Sequence, residues 1–164
     1  MGRPTLYEAA GGAPAMSALA ADFHQRCLAH PGLSHPFERD IDPAHVAHLA
    51  AYWGEVFGGP DDYSRTRGGH GAMIRVHANQ CDEDPFAGAF VECFDAAVAA
   101  TLPDDPELRA VLGDYIRAAT AEVVSYMPLA AAGPGEPPMP RWSWAGRHGL
   151  DASVSTGEPD TRTP

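Results

Sequence analysis

The sequence predicts an all-α fold. Three observations carry the prediction: Asp-Pro pairs open three apolar stretches (Asp42-Pro43, Asp84-Pro85 and Asp105-Pro106), those stretches repeat with the helical period, and no alternating strand pattern of useful length appears. An aspartate at the helix start accepts first-turn N–H bonds, and proline in the first turn sacrifices no hydrogen bond.

The elements follow in order. Thr5 and Glu8 are spaced as a capping box for a short helix that Gly11-Gly12 stops. Pro14 suits the first turn of a second helix, whose stripe is Met16, Leu19, Phe23 and Cys27 and which runs to about Ala29, before His30-Pro31. His24 sits at the edge of that stripe and reads, on this helix alone, as a partly exposed histidine. A turn-rich corner follows, PGLSHPFERDID, with Phe37 as an aromatic plug for the core. The helix expected from Pro43 to Phe57 ends at Gly58-Gly59-Pro60 and puts His45, Leu49, Tyr52 and Trp53 on one face. An imidazole in such a stripe needs a partner, and a tertiary hydrogen bond serves as well as a ligand role.

Asp61-Asp62 and glycines 68, 69 and 71 make the next stretch a loop, and Ala72 to Ala78 favours a helix of barely two turns. Met73 and His77 lie four apart on its face, so His77 reads either as a metal ligand whose bound metal orders the segment or as an ordinary surface histidine. Phe86, Phe90, Phe94, Ala97 and Val98 give the next helix a strongly apolar face, closed by Leu102-Pro103. Leu108, Val111, Leu112, Tyr115, Ile116, Ala119 and Val123 form the stripe of the last helix, which stops before Pro128.

These helices make one domain, residues 1–128. Residues 129–164, rich in proline, glycine and alanine without a period, read as a disordered tail. Trp142 and Trp144 are exceptions there and are expected to dock on the chain's own domain or on a partner. The formal charge is −11, from 22 acidic residues and 11 arginines, with no lysine. The tail holds four acids and three arginines, so the helical part carries the acidity. An acidic surface disfavours nucleic acid and anionic membranes, and the lack of lysine excludes Schiff-base chemistry. Cys27, Cys81 and Cys93 lack CxxC spacing, which disfavours a disulfide framework or a thiolate zinc site. With no run of eighteen apolar residues and no signal pattern, a cytoplasmic protein is expected.

The pieces LYEAAGG, FGGPDDYS, RGGH and IRVHA, in that order and at these separations, resemble the group II truncated haemoglobins, and the likeness spans about residues 4 to 128. The resemblance implies a globin-like two-over-two helical sandwich around haem b, with His77 as the proximal iron ligand. It also implies His24 at the distal position where the family usually has tyrosine, Phe37 packing on the haem, His45 nearest the bound ligand, Leu49 above the iron, and Tyr52 with Trp53 around the rim. Met73 would line the proximal side, while Tyr63, Arg67 and His48 would meet the propionates. Phe90 stands where the family characteristically has tryptophan, so that indole N–H is gone and two imidazoles, His45 first and His24 second, face the sixth coordination position. Either they stabilise a bound ligand or one closes the iron as a bis-histidine site. The resemblance implies dioxygen, nitric oxide and carbon monoxide as ligands, and nitric oxide dioxygenation or peroxidase-like turnover as activities. A GxGxxG fingerprint is absent, so turnover would need an external reductase. A haem-based sensor acting through the Trp142–Trp144 segment is the alternative, and the oligomeric state, monomer or homodimer, is open.

Overall fold

Four apolar helix faces that must be removed from water set the architecture. The computed structural model describes residues 2–33, 43–77, 85–126 and 137–148, of which 76, 77, 85, 86 and 126 by backbone alone. Its helices are α1 (Leu6–Ala10), α2 (Gly12–Ala29), α3 (His45–Val56), α4 (Asp62–Arg67), α5 (His70–His77), α6 (Pro85–Thr101) and α7 (Pro106–Tyr126), followed by β1 (Trp142–Ser143) and β2 (Gly146–Arg147). Helix α2 packs on α3 and on α6, and α6 packs on α7, which gives the two-layered helical arrangement expected.

The local signals explain most boundaries. The Thr5 hydroxyl accepts the Glu8 N–H while the Glu8 carboxylate accepts the Thr5 N–H. Gly11, at φ 112°, ends α1 and turns the chain directly into α2, a conformation that a side chain would strain. The Asp105 carboxylate caps α7 by accepting the N–H groups of Glu107 and Leu108. Helix α3 begins at His45, two residues later than expected, after a turn at Pro43 and Ala44. Asp42 and Asp84 lie outside the described residues, as do Phe37 and Cys81.

The core is aromatic at its centre. Phe94, fully buried, meets Phe23, Trp53 and Tyr115 at ring separations of 6.1, 5.0 and 6.1 Å. Phe90 closes edge-on against Phe23 at 4.8 Å. Cys27 and Cys93 are buried free thiols facing each other across α2 and α6, and desolvation raises the pKa of both.

Two expectations need correction. The stretch after Asp61 is not a plain loop, because Asp62–Arg67 is helical and α5 starts at His70 rather than Ala72. The helix carries no apolar period to announce it; tertiary bonds hold it, and Gly68 and Gly69 at φ 86° and 74° separate it from α5. Likewise, residues 137–148 of the segment read as disordered form an antiparallel hairpin, with Trp142 opposite Arg147 and Ser143 opposite Gly146. Two-residue strands fall below any pattern a sequence can show. The remainder of that segment lies outside the described residues.

Phe94→Ala should lower stability by about 3–5 kcal/mol, the usual cost of removing a fully buried phenylalanine. The urea midpoint measures it; a loss below about 1 kcal/mol would mean that the aromatic centre collapses around the cavity.

Candidate functional site

The site is built from α2, α3 and α5. Helix α2 places His24 one residue beyond the buried Phe23, and α3 opens on His45. Their rings come together at 5.5 Å, both half-buried. Burial lowers the His24 pKa, so its imidazole is held neutral and keeps one nitrogen as donor and the other as acceptor. Leu49 and Phe90 are partly buried side chains packed against the core rather than within it. Leu49 lies one helical turn from His45 on α3, and Phe90 meets Phe23, the neighbour of His24 in the chain, edge-on.

On the other side, α5 carries Met73, also partly buried against the core, and ends at His77. The backbone puts Met73 and His77 one turn apart on α5, as expected; the His77 side chain lies outside those described. His48 is half-buried on α3, and Arg67 is exposed in the last turn of α4.

Tyr52 and Trp53, expected around the rim, sit away from solvent. Both are core residues, 6 % and 2 % exposed, because the α3 face that begins at His45 turns inward over its last two turns. Tyr63 is buried too and meets the Tyr52 ring edge-on at 5.0 Å.

The burial of Tyr52 exposes a network that sequence reasoning missed. The Tyr52 hydroxyl lies 2.8 Å from His70 Nδ1, and His70 Nε2 lies 3.2 Å from Glu122 Oε1. Arg147 Nη1 donates to the other oxygen of Glu122 at 3.1 Å. The His70 bond, desolvation and Arg147 compete at Glu122, and the two attractive partners hold its pKa below the ordinary value. An ionised carboxylate only accepts, so His70 Nε2 donates to Glu122, and Nδ1 shares the second hydrogen bond with the Tyr52 hydroxyl. Desolvation raises the Tyr52 pKa and keeps that hydroxyl protonated.

A second network runs parallel to the first. Glu55, 1 % exposed, accepts the Ser64 N–H at 2.9 Å on one oxygen, and the Ser64 hydroxyl at 2.6 Å and Arg141 Nη2 at 3.1 Å on the other. Arg141 Nη1 also donates to the Glu55 carbonyl at 2.6 Å. The sequence signals were present: Glu55 is a charge between Trp53 and Val56-Phe57, Glu122 continues the stripe of Tyr115 and Ala119, and His70 belongs to the RGGH piece.

Helix order, the aromatic α2–α6–α7 core and a half-buried histidine pair define a small globin-type fold. The bacterial-like globin family profile matches residues 5–122, and the chain belongs to that family, whose members carry haem. The haemoglobin of the thermophilic phototroph Chloroflexus aurantiacus is 31% identical, with 74% of this chain and 98% of that one covered and a TM-score of 0.64. A thermostable haemoglobin from Thermobifida fusca is 26% identical, with 74% and 97% covered and a TM-score of 0.64. The group II truncated haemoglobin of Bacillus anthracis shares the fold at 21% identity and a TM-score of 0.66, covering 75% of this chain and 92% of its own. No curated protein matches. Among the described residues no helix is long and apolar enough to cross a membrane.

The residues present fit a haem. A flat macrocycle needs apolar side chains that the core leaves partly uncovered, and Leu49, Met73 and Phe90 are of that kind; imidazoles such as those of His24 and His45 suit iron.

Glu122→Gln should cost about 1.5–3 kcal/mol near neutral pH, the scale of hydrogen bonds to a charged group. Because the folded-state pKa of Glu122 is lowered, its contribution is complete above the ordinary carboxylate value of 4.5 and is lost as pH falls through the lowered value. Urea midpoints of wild type and variant should therefore converge on acidification; a gap independent of pH would contradict the assignment.

Proposed function

We propose that the chain binds haem b, which His77 would hold through its iron, and that diatomic ligands would be taken up beside His45 and His24. The observation that carries this reading is the His24–His45 pair, two imidazoles 5.5 Å apart on facing helices in a chain of the globin family. When bound, the iron supplies reversible binding of dioxygen, nitric oxide or carbon monoxide and one-electron redox chemistry.

The chain's own residues set the conditions. Leu49, Phe37 and Phe90 keep water from the ligand face, and Met73 packs the proximal face. Arg67, Tyr63 and His48 are the candidates to meet the propionates; Arg67 is the strongest, because a guanidinium offers a fork of donors to a carboxylate. The His45 ring would donate an N–H to a bound ligand or offer a bare nitrogen to the iron, with His24 behind it. Nitric oxide dioxygenation or peroxidase-like turnover at this site draws electrons from an external reductase. Gas ligands are thus the partners, and cytoplasmic placement is part of the same proposal.

Spectra of the ferric, reduced and carbon-monoxide-treated protein test this beside His45→Ala and His24→Ala. A donated hydrogen bond is worth about 0.5–1.5 kcal/mol, so His45→Ala should speed dioxygen release about two- to tenfold, with a smaller change for His24→Ala. Resting spectra and release rates unchanged in both variants would remove the histidine pair from the ligand face.

A further inference from the structure

The 137–148 hairpin lies beyond the family match, which ends at residue 122, yet it grips the segment that carries His77. Helices α4 and α5 are six and eight residues long, too short to hold their own geometry. Two carboxylates fix them: the buried Glu55 on α3 holds Ser64 in α4, and the half-buried Glu122 on α7 holds His70 at the start of α5. Each carboxylate has its outer donor on the hairpin, Arg141 for Glu55 and Arg147 for Glu122. Tyr52, His70, Met73, Glu122, Trp142 and Arg147 line one cavity of about 10 Å³ where hairpin and proximal segment meet.

The hairpin is itself pinned. Trp142 meets Tyr115 edge-on at 5.6 Å, Trp144 Nε1 donates to the Pro4 carbonyl at 2.7 Å, and the Arg3 guanidinium lies 3.5 Å over the Trp144 ring. The His148 N–H closes back on the Arg141 carbonyl at 2.7 Å.

We infer that Arg141 and Arg147 are positioning residues for the iron ligand: through Glu55 and Glu122 they hold both halves of the α4–α5 segment and so set how firmly His77 stands. This rests on the reading of His77 as the proximal ligand. Without the arginines the charge of each carboxylate is less fully compensated, and its hold on Ser64 or His70 loosens.

Hydrogen exchange on the haem-free full chain tests the clasp independently of haem. Arg141→Ala/Arg147→Ala should lose protection in residues 62–75 while α2, α6 and α7 keep theirs, and Arg141→Lys/Arg147→Lys should restore part of it. Protection that is unchanged, or lost evenly in every helix, would overturn the inference. In the haem-loaded protein the alanine pair should release haem roughly tenfold faster to an acceptor globin and shift the ferrous iron–histidine stretching band, an effect on the scale of outer partners of metal ligands. Stability reduced with that band and the release rate unmoved would leave the arginines a purely structural role and overturn the positioning claim. A wild type that takes up no haem would sink the haem reading and, with it, the role toward iron, whereas the exchange result still decides the clasp.

Discussion

A carboxylate 1 % exposed has to recover inside the protein the hydration it lost, and Glu55 does so with three side-chain or backbone donors on its two oxygens. Glu122 solves the same problem less deeply, with His70 and Arg147. The α4–α5 segment depends on these two groups. They are the points at which α3 and α7, long helices stabilised by the core, pass their order to α4 and α5, which have little of their own.

The two sides of the site are therefore stabilised by different physics. The α2–α3–α6 side rests on dispersion and apolar burial, with Phe23, Trp53, Phe90 and Phe94 in edge-on contact, and its histidines emerge from a rigid aromatic base. The α4–α5 side rests on charge-assisted hydrogen bonds, which are directional and fail when a single donor leaves. If His77 holds the iron as proposed, rigid positioning of His24 and His45 and a helix α5 held by a few polar bonds are complementary demands on the site.

Much of the helical frame was legible because it depends on local signals. Asp105 caps α7, Thr5 and Glu8 box α1, and the Phe90–Phe94–Val98 spacing marks α6 as central; each is fixed by residues within one or two turns. Helix α4 and the hairpin were not legible, because both exist only through tertiary bonds: Ser64 to Glu55, and Arg141 and Arg147 to carboxylates at least 25 residues away. The site divides along the same line. His24 and His45 could be placed near one another from the family resemblance, whereas the inward turn of Tyr52 towards His70 could not, since helical spacing alone does not say where one face passes from pocket to core.

The proposed function stands on His77 as the iron ligand. The most direct test is His77→Gly, loaded with haem and examined in the ferrous state with and without added imidazole. The account predicts that the variant retains haem poorly, loses the iron–histidine stretching band, and regains a five- or six-coordinate imidazole spectrum when free imidazole enters the space left by the side chain. Wild-type haem retention and an unchanged band in the variant, without imidazole, would place the iron on another residue.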